Sequence, residues 1–281
     1  MADDPVARSD LELVRGTVAN EGEDVYWELV RAGRDDDRPA VVLTHGAGGT
    51  HAVWFQQIPA LAARYRVVTW DSRGFGNSTN RNGTPTADAA ASDLAAVLNT
   101  ADVERPHLVG QSMGGWFISA FATAAPERVR SLTYADTVGG LWTDALREAI
   151  AAFTATGGLG EGGHGIGTHR ALWPGTAETN PAHAFLYQAL GSFHDPPMRS
   201  LGAVLEWTVA HDTIAGIGVP VMMIAGTHDQ IFPAPALAAS CALIPGARYV
   251  EIPASGHSPY FEQPAAWNDA MLQFLSTVES S

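Results

Sequence analysis

Short apolar runs recur along this chain, and they constrain its fold more than any other feature. They lie at residues 41–43, 66–70, 107–110, 129–134 and 219–225. Segments with helical periodicity separate them, at residues 52–63, 86–98 and 113–124. A run that is apolar on both faces is typical of a strand buried in a parallel sheet, and its alternation with helices is typical of βα units. The sequence therefore predicts an α/β protein with a largely parallel, doubly wound sheet.

The start of the chain and its middle depart from this rhythm. Residues 11–18 and 24–30 read as two strands joined by a polar turn, which predicts an opening antiparallel hairpin. Between the fourth and fifth apolar runs the sequence becomes aromatic-rich, with helical pieces broken by glycine and proline. We interpret this stretch as a cap inserted over the mouth of the sheet. The predicted organisation is core at 1–136, cap at 137–217 and core again at 218–281.

Composition narrows the class of protein. The 281 residues are 46% hydrophobic and 16% charged, which indicates a globular chain. The net charge of −14 argues against a nucleic-acid partner, because binding phosphates requires clustered cations. The chain contains no lysine, which excludes Schiff-base and P-loop chemistry. Without a signal-like start or a membrane-length apolar run, we expect a cytoplasmic protein with no membrane partner. The single cysteine, Cys241, lies in an apolar stretch and is expected to be a buried, inert thiol.

The segment 110–115 reads Gly-Gln-Ser-Met-Gly-Gly and follows the third apolar run. A serine between small residues, after a strand and before a helix, is the pattern of a nucleophile elbow. The alternative interpretation is a strand-to-helix turn that merely needs glycines. We predict that Ser112 is a nucleophile, and this requires a base elsewhere in the chain.

His257 is the candidate base, because it follows the last strand-like run and precedes the final helix. An imidazole base needs a buried carboxylate to fix its tautomer and offset its charge. Asp229 follows a strongly apolar run and gives the chain order Ser, Asp, His. Asp136, at the end of the preceding strand, is the alternative acid. The predicted triad is therefore Ser112, Asp229 and His257.

The tetrahedral intermediate of acyl transfer also needs two donors for its oxyanion. The glycine-rich segment 45–49 follows the first apolar run, and its loop can expose backbone amides. We predict that the amides of Ala47 and Met113 form the oxyanion hole. Such a loop could instead cradle a phosphate, but this loop lacks the Gly-x-Gly-x-x-Gly pattern of a dinucleotide site.

Together these motifs resemble those of α/β-hydrolase-fold serine hydrolases, in the group of capped esterases, lactonases and carbon–carbon hydrolases. The loop at 71–78 resembles a structural loop of that family. The resemblance implies a mostly parallel eight-stranded sheet with a helical cap, and no cofactor or metal. Ser112 disfavours the dehalogenase and epoxide hydrolase branches, which use an aspartate nucleophile. Ser258 replaces the tryptophan common in carbon–carbon hydrolases, and Trp116 replaces the arginine of menaquinone-pathway relatives.

Aromatic residues of the cap predict an apolar chamber that sets specificity. They are Trp142, Phe153, Trp173, Phe185, Tyr187, Phe193 and Trp207. We assign Trp116, Trp142, Trp173 and Trp207 to substrate binding; the alternative is that such rings only pack the cap onto the sheet. Five cap histidines, His164, His169, His183, His194 and His211, are too irregularly spaced to predict a zinc site. The glycine-rich residues 157–167 are either a lid hinge or a loose loop.

The predicted function is cofactor-independent hydrolysis of a small, mainly apolar carboxylic ester or lactone through an acyl-enzyme. The partner is a small-molecule substrate, and a homodimer is left open. One alternative is a carbon–carbon bond hydrolase acting on a ring-cleavage product. A second is a lyase or cofactor-free oxygenase that uses His257 as a base without an acyl-enzyme. A third is a ligand-binding protein that keeps the hydrolase shell.

Overall fold

One twisted sheet organises the protein. The computed structural model describes residues 6–83, 85–158, 168–193 and 201–281. Within them eight strands pair in the order β1-β2-β4-β3-β5-β6-β7-β8. The strands are β1 (Glu12–Asn20), β2 (Glu23–Arg31), β3 (Ala40–Thr44), β4 (Arg66–Trp70), β5 (His107–Gln111), β6 (Ser131–Ala135), β7 (Val221–Gly226) and β8 (Arg248–Ile252).

Strand direction follows the burial pattern. The hairpin β1–β2 is antiparallel, and β2 pairs with β4 in the same sense. From β4 to β8 every neighbour is parallel. Strands β3, β5, β6 and β7 are buried along their whole length, whereas β2 alternates between buried and half-buried residues. This is what continuous apolar runs and an alternating hairpin predict, and the predicted fold class is confirmed.

Helices cover both faces of the sheet. They are α1 (Ile58–Leu61), α2 (Ala87–Thr100), α3 (Met113–Ala124), α4 (Asp144–Ala155), α5 (Pro174–Thr179), α6 (Pro181–Leu190), α7 (Gly202–Glu206), α8 (His211–Gly216), α9 (Ala234–Cys241), α10 (Pro259–Glu262) and α11 (Pro264–Glu279). Val42 of β3 faces the core that packs against α2, α3 and α9. Its neighbours Val41 and Leu43 face the opposite core, against α1 and α11. Successive side chains of the strand point to opposite faces of the sheet, so each face packs in its own hydrophobic layer.

The segment predicted as a cap is helical where the structure describes it. Helices α4 to α8 lie between β6 and β7, and no strand occurs among the described residues of that stretch. Trp116 of α3 donates its Nε1 hydrogen to the carbonyl oxygen of Trp207 at the end of α7, 3.1 Å away. The cap helices therefore pack directly onto the first helix after the elbow. The exact limits of the cap remain a prediction.

One predicted helix is divided. Residues 52–63 were expected to form one amphipathic helix, but a 3₁₀ helix at His51–Trp54 is followed by the short α1. Pro59 lies in the first turn of α1, where its missing N–H and fixed φ favour a new helix start over the continuation of an old one. A search of the described helices finds none long and apolar enough to cross a membrane.

Candidate active site

The predicted site residues gather at one edge of the sheet. Ser112 follows β5, Asp229 lies just beyond β7, and His257 lies in the loop after β8. Ala47 follows β3, next to β5 in the sheet. Carboxyl ends of parallel strands meet at the same edge, so residues far apart in sequence become neighbours there.

Ser112 occupies a strained turn between β5 and α3. Its φ is 48° and its ψ is −120°, a conformation that residues with a side chain rarely adopt. The glycines allow the backbones to approach closely. A Cβ at Gly110 would lie 2.5 Å from the carbonyl oxygen of Gly114, and a Cβ at Gly114 would overlap the carbonyl oxygen of Thr44 on β3. The Gly-Gln-Ser-Met-Gly-Gly segment therefore has the geometry of an elbow that presents its serine.

His257 and Asp229 form a buried pair. Nδ1 of His257 lies 2.9 Å from Oδ2 of Asp229. The other carboxylate oxygen accepts hydrogen bonds from the amides of Ile231, at 2.8 Å, and Phe232, at 3.1 Å. These bonds hold the carboxylate in place, and the carboxylate in turn places the proton of neutral His257 on Nδ1.

The opposite nitrogen of His257 is free. Nε2 is buried and has no hydrogen-bond partner within the described residues. Ser112 borders the same cavity as His257, but in this conformation no hydrogen bond joins the two side chains. An unprotonated, unpartnered imidazole nitrogen is the group that a proton-abstracting base must offer.

Asp136, the alternative acid, has a different position. Its Oδ1 accepts a hydrogen bond from the amide of Gly226 at 2.7 Å, and its Oδ2 has no partner among the described residues. Burial, reinforced by the negative charge of Asp229, raises the pKa of Asp136 well above its usual range. Burial and the nearby charge therefore favour the neutral form of Asp136, while Asp229 is the carboxyl that contacts His257.

The glycine-rich loop lies against the elbow. A Cβ at Gly46 would overlap the side chains of Gln111 and Ser112. His45 fixes the loop, because its Nδ1 donates to the carbonyl oxygen of Gly46 at 2.8 Å and its Nε2 accepts from the amide of Ser72 at 3.0 Å. Ala47 and Met113 border the same cavity as Ser112, which is where the predicted oxyanion donors are needed.

Two neighbouring cavities lie at this site. The main chamber has a volume of about 330 Å³ and contains Ser112 and His257 in its wall. Its other walls are mostly apolar, from Trp116, Ile150, Phe153, Leu201, Val204, Leu205, Ile231 and Phe232. A side chamber of about 250 Å³ lies along the glycine-rich loop. Four residues border both chambers: Ala47, Gln111, His169 and Tyr187.

Of the four tryptophans assigned to substrate binding, Trp116 lines the main chamber. Trp142, Trp173 and Trp207 line neither chamber, which corrects the assignment. Trp142 lies behind the wall, with its ring centroid 5.9 Å from that of Trp116 and 6.3 Å from that of Phe232. The ring thus supports wall residues instead of facing the cavity.

The other two tryptophans are structural in this conformation. Trp207 donates its Nε1 hydrogen to Asp88 of α2 at 3.2 Å, and its partly buried ring packs against the core. Trp173 packs beside His228, 5.5 Å away between ring centroids. Phe185 and Phe193 also differ from the prediction of an enclosed aromatic chamber, because they are 51% and 62% exposed.

The cap histidines do not act as a group. His183 stacks on Phe261 at 4.4 Å, and His211 bonds to the hydroxyl of Ser240 at 2.8 Å. His164 and His194 lie outside the described residues, as do residues 159–167 of the predicted hinge. In the part of the chain that the structure describes, no cluster of histidine, cysteine or acidic side chains has the arrangement of a metal site.

Three residues near the site make contacts that the sequence did not predict. Gln111 donates from Nε2 to the carbonyl oxygen of His257 at 2.9 Å, and Tyr187 bonds to the hydroxyl of Ser258 at 2.8 Å. Glu262 accepts from the amide of Gly256 at 2.7 Å. All three hold the loop that carries His257. Proximity of Gln111 and Glu262 to the motifs is the only sequence signal for them.

Comparison with known proteins identifies relatives over most of the chain. A model described as the Alpha/beta hydrolase family matches residues 41–270. A Mycobacterium tuberculosis protein with the provisional name non-heme bromoperoxidase BpoC is 32% identical over 267 residues, covering 85% of this chain and 95% of that protein. 3-Oxoadipate enol-lactonase 1 of Acinetobacter baylyi is 26% identical, over 70% of this chain and 73% of its own length.

Solved structures show the same architecture. A thermophilic esterase from Thermogutta terrifontis superposes with a TM-score of 0.76 at 26% identity, covering 94% of this chain and 99% of that chain. The names of these relatives describe different reactions. The similarity therefore extends to the fold and the family, whereas the substrate has to be argued from the site.

Proposed function

Because this chain belongs to the α/β hydrolase family, we propose that it is a serine hydrolase of small, mainly apolar carboxylic esters or lactones. Ser112 is the nucleophile, His257 the general base and acid, and Asp229 the carboxylate that orients it. The amides of Ala47 and Met113 hold the oxyanion. No cofactor takes part in the proposed reaction.

The reaction has two halves. In the first, Oγ of Ser112 forms a bond to the carbonyl carbon while its proton moves to Nε2 of His257. The tetrahedral intermediate collapses, its bond to the alcohol oxygen breaks, and His257 returns the proton to that oxygen. In the second half, water gives a proton to His257 and its oxygen attacks the acyl carbon. The bond from that carbon to Oγ of Ser112 then breaks, His257 returns the proton to Oγ, and the acid is released.

One observation carries the proposal. The Asp229–His257 pair, with Nε2 unpartnered among the described residues, borders the same cavity as a serine held at a φ of 48°. The alternative, a strand-to-helix turn that merely needs glycines, does not account for a buried imidazole oriented by a carboxylate. The combination is the one that nucleophilic acyl transfer requires.

The substrate class is supported by the walls of the main chamber. Most of them are aliphatic or aromatic, so burying an apolar acyl or alcohol group there is favourable. A volume of about 330 Å³ suits a small molecule. The esterase and enol-lactonase names among the relatives point to the same bond type.

The proposal is tested by labelling and turnover. We expect a fluorophosphonate probe to label the wild type and Ser112→Ala to remove labelling. The same variant should lower kcat for p-nitrophenyl butyrate by about 10⁴-fold or more. Ser276→Ala, an exposed serine on α11, is the control and should behave as the wild type.

Two outcomes would contradict it. Folded wild-type protein that is neither labelled nor inhibited by the probe lacks a reactive serine. Substantial turnover by Ser112→Ala on a substrate of the wild type would instead favour a lyase or oxygenase that uses His257 alone as its base. A carbon–carbon hydrolase would be revealed by cleavage of a ring-cleavage diketone without ester turnover.

A further inference from the structure

His169 occupies a position that the reaction above does not use. It lies in residues 168–173, the cap segment that precedes α5, and it borders both chambers. Its ring packs edge-on against Tyr187, with centroids 5.2 Å apart at an angle of 64°. Its place at the junction of the chambers puts it beside any substrate that spans them.

The tautomer of His169 is set by its own segment. The amide of Ala171 donates a hydrogen bond to Nδ1 of His169 at 3.1 Å. Nδ1 is therefore an acceptor, and the neutral ring carries its proton on Nε2. Burial, reinforced by the charge that His257 carries when protonated, lowers the pKa of His169. At neutral pH the side chain is thus an uncharged donor.

Main-chain bonds fix this donor relative to the proposed base. The amide of His257 donates to the carbonyl oxygen of Ala171 at 2.8 Å. Close approach is possible because residue 256 is glycine; a Cβ there would lie 2.6 Å from the backbone nitrogen of Trp173. One residue, Ala171, therefore binds both the His169 ring and the His257 backbone. Such placement is the kind of preorganisation that a substrate-contacting group needs.

Nε2 of His169 is available to a ligand. No group in residues 6–83, 85–158, 168–193 or 201–281 accepts a hydrogen bond from it. Outside the proposed triad, two hydroxyl groups on the chamber walls already have partners. The Tyr187 hydroxyl bonds to Ser258, and the Thr154 hydroxyl donates to the carbonyl oxygen of Ile150 at 2.7 Å. An unpaired donor in a mostly apolar chamber discriminates strongly in favour of a substrate that pairs with it.

We infer that His169 is a specificity-determining residue that donates a hydrogen bond from Nε2 to a second oxygen of the substrate, distinct from the reacting carbonyl oxygen. This inference rests on the proposed ester or lactone hydrolysis and narrows its substrate class. The favoured substrates carry an ether, hydroxyl or keto oxygen close to the scissile ester. Because the donor is neutral, it selects an uncharged acceptor without requiring a carboxylate or phosphate.

Matched ester pairs test the inference. In the first pair, p-nitrophenyl methoxyacetate and p-nitrophenyl butyrate differ by one ether oxygen in place of a methylene in the acyl chain. In the second, 2-methoxyethyl butyrate and butyl butyrate place the same change in the alcohol. The readout is the ratio of kcat/KM within a pair, in each variant relative to wild type, because intrinsic ester reactivity then cancels.

Three substitutions of His169 separate the donor from the packing. His169→Phe keeps a ring and removes both nitrogens. His169→Asn keeps an acceptor near Nδ1 for the Ala171 amide and removes the reach of Nε2. His169→Gln places an amide donor near the position of Nε2. His183→Phe is the matched control, because this cap histidine borders neither chamber.

The ratio is kcat/KM for the ether ester divided by kcat/KM for its methylene partner. We expect His169→Phe and His169→Asn to lower it by about five-fold in at least one pair. His169→Gln and His183→Phe should retain it within about two-fold. If His169→Phe and His169→Asn leave the ratio unchanged in both pairs, the inference is overturned. This holds even if kcat/KM falls, as long as it falls equally for both members of each pair. Fluorophosphonate labelling of Ser112 is measured on every variant. Failure of the ratio with intact labelling rejects the role of His169 alone, whereas absent labelling of the wild type rejects the serine hydrolase itself.

Discussion

Two aspartates near His257 are in different electrostatic situations. Asp229 is bonded to the imidazole and to two backbone amides. Asp136 is bonded to one amide, and its pKa is raised by burial and by the charge of Asp229. Two buried carboxyls close to one another avoid double ionisation when one keeps its proton. Burial beside Asp229 therefore favours the protonated form of Asp136, and Asp229 is the carboxylate that contacts His257.

Substituting each aspartate with asparagine separates their roles. We expect Asp229→Asn to lower kcat for p-nitrophenyl butyrate by about 10⁴-fold, because the amide favours the wrong imidazole tautomer. Asp136→Asn, which imitates a neutral carboxyl and keeps the acceptor for Gly226, should cost less than about ten-fold. Steady-state kinetics at neutral pH measures both. Equal losses would mean that Asp136 also supports the base directly.

Gly114 tests the close approach of α3 to β3. A Cβ there overlaps the carbonyl oxygen of Thr44, so Gly114→Ala should lower the free energy of unfolding by about 3 kcal/mol. Gly216→Ala is the control, because Gly216 ends α8, is exposed and has open space around it. It should be neutral or stabilising by about 0.5 kcal/mol. Urea unfolding measures both, and similar values would contradict the packing argument.

Sequence reasoning worked best for residues whose backbone context determines their position. Ser112 and His257 follow strand ends, so their meeting at one edge of the sheet follows from the topology. Asp229 and Asp136 also follow strand ends, and no local pattern could show which one reaches the imidazole. Trp142 fails for another reason. Whether a cap ring faces the cavity depends on how each cap helix is rotated on the core, which aromatic composition does not encode.

At the scale of elements, Glu262 of α10 joins the cap to the loop that carries His257. One oxygen accepts from the Trp173 amide at 2.7 Å and from the Thr176 hydroxyl at 2.6 Å, and the other accepts from the Gly256 amide. Burial raises the pKa of Glu262 to about 7, although these hydrogen bonds oppose the shift. The carboxyl therefore titrates near neutrality while connecting two elements.

This shift makes stability depend on pH. The folded-state pKa of about 7 exceeds the ordinary glutamate value of 4.5, so the native state binds a proton more tightly than the unfolded chain does. The resulting stabilisation is complete below pH 4.5 and disappears as the pH rises through 7. Glu262→Gln cannot titrate. At each pH we take the unfolding free energy of the wild type minus that of the variant. We expect this difference to be about 2 kcal/mol larger at pH 5 than at pH 8. Urea unfolding at both pH values measures this, and a constant difference would contradict the shift.

Element boundaries show where periodicity is a weaker guide. The buried strands were predictable because runs such as Val41–Leu43 leave no polar face. Residues 52–63 have helical periodicity, yet Pro59 starts a second helix within them. Hydrophobic spacing reports which side of a segment is buried, whereas a proline decides where its backbone hydrogen bonds must stop.

At the scale of the whole molecule, the core supplies the proposed reactive groups and the cap supplies part of the wall of the main chamber. Ser112 and His257 come from strand-end loops of the core, whereas Phe153, Val204 and Leu205 come from cap helices. The size of the chamber is thus set by how the cap lies on the sheet. Reaction type and substrate size are carried by different parts of the chain.

Chain length of the substrate tests the size of the chamber. With about 330 Å³ available, kcat/KM for p-nitrophenyl esters should peak at about four to eight acyl carbons and fall for palmitate. Leu205→Trp fills part of the chamber and should move the peak to shorter acids. Leu243→Trp, at a similarly exposed leucine outside both chambers, should leave it in place. An unchanged profile for Leu205→Trp would mean that acyl chains extend elsewhere.

The bond from the His257 amide to the Ala171 carbonyl oxygen has a consequence for binding energetics. Since the base and the cap share it, ordering one lowers the entropy that must be lost to order the other. The two are then thermodynamically linked, and linkage is reciprocal. A molecule that binds residues 168–173 raises the fraction of protein in which His257, the proposed base, is in position. An adduct on Ser112 that immobilises His257 increases, by the same free energy, the affinity of residues 168–173 for a bound molecule.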